Sequence, residues 1–338
     1  MKRVTIRDIA KEAGVSAATV SLALNDKGKL PAERRKSIRS LAEKMGYQPN
    51  AMARALRGAS TGCVGVVINY FNNPFFRSMF AGLESVADEN GFSFTVSQSR
   101  DQLAKESRNA RLLAERGIDG LIVLPCGNET AHLKEIAQHY SMPIVLISHR
   151  LEDAFAAIEA DNLRGGRLVA EHFLELGDRA NIHLAGPQEK SGLTARKESF
   201  CAVMLERDPG FSPDTHIFYT GALTADGGFM MMEAILSAHR PPLNVFAVND
   251  EVALGVLHYC RQKGLAVPLD VAVAGFSDID ILEAYGIPLT TVHIPARRMG
   301  ENAMELLLEM RKNERIREYP PTITLPVNLI VRESTVMP

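Results

Sequence analysis

Residues 5–25 read TIRDIAKEAGVSAATVSLALN, and the spacing of apolar and capping residues in this run marks two short helices and the turn between them. Thr5 stands as an N-cap with Asp8 at the third helical position, a capping box in which Asp replaces the longer Glu. Ile6, Ile9, Ala10 and Ala13 then recur along one helical face. Gly14 can adopt the left-handed backbone that ends a helix, and Ser16 suits the N-cap of the next one. The second helix turns Val20 and Leu24 inward and leaves Ala17, Ala18, Ser21, Leu22 and Asn25 on its other side. A third helix extends from about Pro31 to Met45, with Ile38, Leu41, Ala42 and Met45 inward and Gly46 at its end. Two short helices across a tight glycine turn form a helix-turn-helix, whose second helix enters the major groove of DNA. The pattern by itself fits a DNA-binding head and a plain three-helix bundle equally.

Charge favours the first. Residues 1–58 carry 13 Lys and Arg against 5 Asp and Glu, a net +8, whereas the remainder of the 338-residue chain carries 25 against 35, a net −10. A basic head attracts phosphates, and an acidic body limits non-specific adhesion. No run of 18 apolar residues occurs, which argues against a membrane span. The start, MKRVTIRD, turns charged where a signal peptide needs its apolar segment, so a cytoplasmic location is expected. Cys63, Cys126, Cys201 and Cys260 form no C-x-x-C pair and read as reduced, buried thiols.

Beyond the linker at 58–62, apolar runs alternate with helical patterns. The runs are CVGVVINY (63–70), FSFTVS (92–97), GLIVL (120–124), PIVLIS (143–148), ANIHLAG (180–186), NVFAV (244–248) and VAVAGF (271–276). Helices are expected between them, among others at 75–90, 102–116, 162–176 and 253–263. Such alternation implies an α/β fold of parallel sheets covered by helices on both faces. A body of this length suits two lobes, and the groove outside the carboxyl ends of their strands is the expected ligand site.

Residues 5–25, together with GYQPNAMARALRG at 46–58, resemble the DNA-binding head of the LacI/GalR repressor family. Body segments resemble that family too: NPFF (73–76), GIDGLIV (117–123), ADN (160–162), AGP (185–187), NDEVALG (249–255), LTTVH (289–293) and LIVRES (329–334). The resemblance spans nearly the whole chain. It implies a helix-turn-helix domain at 1–46, a hinge and linker at 47–61, and an effector-binding and dimerisation body at 62–338 with a periplasmic-binding-protein-like fold. The lobes would exchange strands, one comprising about 62–161 and 293–324, the other about 162–292 and 325–338. The expected partners are operator DNA, a small-molecule effector and a second copy of the chain. A dimer is preferred because the chain stops just after its last strand, without the extra helix that makes some relatives tetramers.

By the same resemblance, DNA contacts fall to Thr5, Ser16, Ala17, Ala18, Thr19, Ser21, Leu22 and Asn25, and in the hinge to Tyr47, Asn50, Arg54, Leu56 and Arg57. Leu56 would wedge into the minor groove at the operator centre, unstacking a base step and kinking the duplex. Arg54 and Arg57 suit phosphate or minor-groove contact. Effector contacts fall to Asn69, Phe75, Phe76, Ser148, Arg196, Leu223, Asn249 and Ser277. Phe75 and Phe76 also suit the core, and Arg196 also suits a surface ion pair.

Two departures from the family pattern bear on specificity. Family recognition helices usually carry a long polar side chain where this chain has Leu22, and often at Ala17 or Ala18. Alanine and leucine offer no hydrogen bond to a base edge, so reading is expected to lean on Ser16, Thr19, Ser21 and Asn25, on methyl contacts and on DNA shape. In the cleft, Ser148 and Ser277 replace the aspartates of sugar-binding relatives, and Leu223 replaces a stacking aromatic. The effector is therefore either a carbohydrate or its phosphate, or a less hydroxylated or anionic metabolite.

Other functions find little support. No glycine-rich nucleotide turn follows the first strand, and no G-x-S-x-G elbow occurs. His132 and His139, seven apart, read as exposed histidines, and Asp278, Asp280 and Glu283 as solvated carboxylates rather than metal ligands. No enzyme activity, catalytic residue, metal or cofactor is expected. A solute-binding receptor with the same body fold and no DNA role is the alternative.

Overall fold

The computed structural model describes residues 4–24, 30–47, 60–148 and 155–336. The chain divides into two compact units, Met1–Thr61 and Gly62–Pro338.

The first unit contains α1 (Ile6–Glu12), α2 (Ala17–Leu24) and α3 (Ala32–Lys44) around a core of Ile9, Ala10, Val20, Ala23, Ile38 and Ala42. Asp proves long enough to complete the capping box. The Thr5 amide donates to Asp8 Oδ2 at 2.8 Å, and the Asp8 amide donates to Thr5 Oγ1 at 3.4 Å. Gly14 takes φ +63°, and the Val15 amide closes the turn onto the Ala10 carbonyl at 3.1 Å. On α2 the fully buried partner of Val20 is Ala23, not Leu24, which packs at the margin. The smaller side chain sits where α2 meets α3, and Arg39 Nε donates to the Ala23 carbonyl there at 3.2 Å.

The second unit is built on two six-stranded sheets. The first runs β2 (Ser93–Gln98), β1 (Cys63–Ile68), β3 (Leu121–Val123), β4 (Ile144–Ile147), β5 (Ala156–Ala160) and β11 (Thr322–Leu325). The second runs β7 (Ile217–Tyr219), β6 (Ala180–Ala185), β8 (Leu243–Ala247), β9 (Val271–Ser277), β10 (Thr290–His293) and β12 (Asn328–Ile330). Strand pairs are parallel except β12 with β10, an antiparallel edge on an otherwise parallel sheet. The sequence reading did not mark β5, β7, β10, β11 and β12 as strands. Ala156–Ala160 is alanine-rich and the other four are only three or four residues long, so none carries a strong local strand signal.

Helices cover both faces of each sheet. On the first, α4 (Phe75–Glu89) and α13 (Ala296–Lys312) build one core layer, and α5 (Leu103–Glu115) with α6 (Ala131–Tyr140) builds the other. A Cβ at Gly82 would collide with the Arg297 carbonyl, which explains how α4 and α13 approach so closely. On the second sheet, α7 (Asn162–Glu175) and α8 (Ser191–Arg207) cover one face, and α10 (Ala225–Ala238) with α11 (Asp250–Lys263) covers the other, while the short α9 (Pro213–His216) and α12 (Asp280–Ala284) lie in the connections. The chain crosses between the two layers near 161, 294 and 326, so neither lobe is one continuous segment.

Candidate functional site

In the head, the outward face of α2 presents Ala17, Ala18 and Leu22, all exposed. Ser16 caps α2 by accepting the Thr19 amide at 3.1 Å, and its Oγ lies 2.8 Å from Thr19 Oγ1. One of these two hydroxyls donates to the other. Ser21 is half-buried and partnered. The Thr5 hydroxyl donates to Asp8 Oδ2 at 2.7 Å, and Tyr47 packs against the three-helix core. Asn25, Asn50, Arg54, Leu56 and Arg57 lie outside the described residues.

In the body, a cavity of about 360 Å³ opens between the carboxyl ends of the two sheets. All eight expected effector residues line it, because each lies just past a strand or on the helix that follows one. Asn69 follows β1, Ser148 follows β4, and Ser277 ends β9. Phe76 is 1% exposed and belongs to the first core, whereas Phe75 packs against the cores of both lobes. Leu223 is half-buried and contributes aliphatic wall.

Two expected residues are more committed to the protein than their chemistry suggests. Asn249 N-caps α11, which begins three residues earlier than expected. Its Oδ1 accepts the Val252 amide at 2.8 Å, and its Nδ2 donates to the Leu223 carbonyl at 3.2 Å. Arg196 is buried rather than in a surface ion pair. Its Nε donates to Asn162 Oδ1 at 2.8 Å and its Nη1 to the Val248 carbonyl at 2.7 Å, and the guanidinium carbon lies 3.6 Å from the centre of the Phe276 ring. Burial lowers its pKa to about 9, against the opposing pull of the Asp250 carboxylate, so it stays cationic at neutral pH.

The sequence reading missed several charged wall residues. Asp101 and Lys190 face each other across the cavity mouth. Asp250 is fully buried, accepts from the Thr291 hydroxyl and from the Ile279 amide, and is pushed up to about 6 chiefly by desolvation. Glu251 is also raised by burial. Their signal was positional: each stands within five residues of a strand's carboxyl end, where an open parallel sheet collects ligand groups.

Backbone strain gathers at the same place. Six non-glycine residues among those described have positive φ, and five of them follow or end cleft-side strands: Arg100, Asp101, Ser148, Ser277 and Asp278. Left-handed backbone at such residues costs about 1–3 kcal/mol each and persists where surrounding structure holds it, commonly at ligand clamps. A Cβ at Gly192 would sit 3.0 Å from Asn162 Nδ2 and 3.2 Å from the Ser148 carbonyl oxygen, so the lobes nearly touch there.

Elsewhere the expectations shift. His132 is not simply exposed, because its Nε2 lies 2.9 Å from Oε1 of the fully buried Glu106. Asp278 pairs with Arg332 and His293, and Asp280 accepts the Ser78 hydroxyl at 2.8 Å, a second contact between the lobes. Of the cysteines only Cys260 is buried; Cys63, Cys126 and Cys201 are half-buried, and all four are free. Desolvation pushes the Cys126 thiol up to about 12 and Cys260 to about 11, which leaves both un-ionised. Among the described residues no helix is long and apolar enough to cross a membrane.

Comparison with known proteins agrees with both units. Residues 5–50 match the family model "Bacterial regulatory proteins, lacI family", and residues 170–335 match "Periplasmic binding protein-like domain". The HTH-type transcriptional repressor PurR of Vibrio parahaemolyticus is 31% identical over 327 residues, covering 95% of this chain and 97% of that protein. The crystal structure of the lac repressor dimer bound to operator and the anti-inducer ONPF superposes with TM-score 0.83 at 25% identity, over 99% of this chain and 100% of that one. The transcriptional regulator CelR in complex with cellobiose superposes with TM-score 0.73 at 28% identity, over 98% and 100%. The chain belongs to the LacI/GalR family of bacterial transcriptional regulators.

Proposed function

We propose that this protein is a ligand-controlled transcriptional repressor that binds a pseudo-palindromic operator as a homodimer, with the occupant of the interlobe cleft setting its DNA affinity. One observation carries the reading: a single chain holds a capped helix-turn-helix and a cavity lined from the carboxyl ends of two sheets. Similar proteins include a PurR repressor, a lac repressor dimer on its operator, and CelR with cellobiose.

The parts divide the work. The domain at about 1–46 reads DNA through α2, and the segment 47–61 acts as hinge, with Leu56 as the minor-groove wedge and Arg54 and Arg57 on phosphate or groove edge. The body at 62–338 dimerises and binds effector, its lobes comprising about 62–161 with 293–324 and about 162–292 with 325–338. Closing or opening of the cleft changes the spacing of the paired hinges and so shifts DNA binding. Linkage requires DNA to change effector affinity by the same factor. The polar groups around the cavity are arranged for binding, and no enzymatic role is assigned. The effector is a sugar, a sugar phosphate or another small metabolite, less hydroxylated or anionic.

The test is duplex binding by the full-length chain. Operator preference over random DNA at moderate salt is expected, with Leu56→Ala weakening it strongly while fold and dimer remain. A monomer without duplex preference overturns the reading and favours a solute receptor. A thermal-shift screen of sugars, sugar phosphates, nucleosides and small acids finds the effector, since ligand at 100 times its Kd adds about 2.7 kcal/mol.

A further inference from the structure

The face that α2 turns outward is chemically unusual for a base-reading surface. Leu22 is 39% exposed and is, among the described residues of the head, the one large apolar side chain left so open. Ala18 lies one helical turn before it, on the same stripe, with exposed Ala17 alongside. This alkyl patch sits on a segment of net charge +8, where an exposed leucine gains nothing from water and the surrounding cations draw in phosphates. The nearby hydroxyls compensate only in part, since one hydroxyl proton of the Ser16–Thr19 pair is used within the pair. Ser16 and Thr19 are hydrogen-bonded to each other, and Ser21 is half-buried and partnered.

Resting on the repressor reading above, we infer that α2 reads its half-site through pyrimidine 5-methyl groups, with Leu22 and Ala18 as the specificity-determining contacts. In the major groove the only apolar base feature is the methyl on C5 of thymine; other edges present donors or acceptors that lose water against alkyl carbon without gaining a partner. A leucine facing a methyl buries both. Because this contact carries no hydrogen bond, it does not depend on which base bears the methyl. 5-Methylcytosine therefore serves in place of thymine at the position facing Leu22, and cytosine methylation there creates binding rather than blocking it.

The experiment selects operators with the full-length protein from random duplex pools copied with either thymidine or deoxyuridine, which differ only by the methyl. Strong enrichment from the thymidine pool and weak enrichment from the deoxyuridine pool are expected. On the selected duplex, uracil at the facing position should weaken binding about fourfold per methyl removed. Restoring a methyl there as 5-methylcytosine·guanine should hold affinity within about twofold of thymine, whereas unmethylated cytosine should not. Leu22→Ala should weaken the thymidine duplex and leave the uracil duplex unchanged, whereas a merely structural leucine would weaken both equally. Equal enrichment from both pools, or loss on both duplexes, overturns the methyl reading alone. No enrichment from either pool overturns the repressor reading, and this inference with it.

Discussion

Lys190 Nζ lies 2.7 Å from Asp101 Oδ1, joining the layer of the second sheet to that of the first across the mouth of the cleft. Asp101 is delivered by two consecutive left-handed residues, Arg100 at φ 56° and itself at φ 52°, and Asn69 Nδ2 donates to the same carboxylate oxygen. Asn69 Oδ1 is buried and has no partner. The turn is thus held in a costly conformation at the point where the lobes meet.

This pair should act as a clasp across the cleft mouth. Lys190→Met or Asp101→Asn should raise amide exchange around 99–103 and 187–193, measured by hydrogen–deuterium exchange on the full chain. The combined exchange Asp101→Lys with Lys190→Asp should restore part of the protection. Both side chains are partly solvated, at 17% and 28% exposure, so the coupling should be no more than about 1 kcal/mol and should shrink with salt. Unchanged exchange in both single variants would remove the clasp.

Arg196 should matter to stability as well as to binding. Arg196→Met keeps much of the apolar stem but strips donors from Asn162 Oδ1 and the Val248 carbonyl, both on the second lobe. Leaving those acceptors without partners should cost about 2–4 kcal/mol in urea unfolding. A variant as stable as the parent would show that the guanidinium serves the ligand alone.

His183 should make the fold acid-sensitive. Its Nδ1 donates to the Phe246 carbonyl at 2.9 Å, its Nε2 is buried without a partner, and desolvation holds its pKa down to about 4. The unfolded chain takes up a proton near pH 6.5 and the folded one only near 4, so this group's contribution to stability falls as pH drops across that window. The full drop is about 3 kcal/mol. Asp250, raised to about 6, works the other way: its contribution falls as pH rises from about 4 to 6. Because the two oppose each other, the informative quantity is a difference. His183→Phe should gain stability relative to the parent as pH falls from 7 to 4.5, in urea titrations at each pH; a pH-independent difference would refute the buried neutral imidazole.

Some of this was readable in the chain and some was not. The helix-turn-helix was legible because capping boxes, glycine turns and apolar spacing act over three or four residues. All eight expected cleft residues reached one cavity because strand ends in a parallel sheet converge whatever the side chains are. What escaped, besides the short or alanine-rich strands and the charged cleft wall, was pairing. Nothing local joins Asp101 to Lys190, 89 positions away, or Ser78 to Asp280, 202 away.

The sequence by itself therefore determined the head helices, seven of the twelve described strands, the alternation that makes two covered sheets, and the family to which the chain belongs, since these follow from short-range periodicity and motif spacing. Only the tertiary structure decided that Asn249 and Arg196 spend hydrogen bonds on the protein, that Ser16 and Thr19 hydrogen-bond to each other, and that a carboxylate and an ammonium meet across the mouth of the cleft. Hydrogen-bond partners are set by which strand ends and helix starts meet in space, and a linear pattern does not encode that distance.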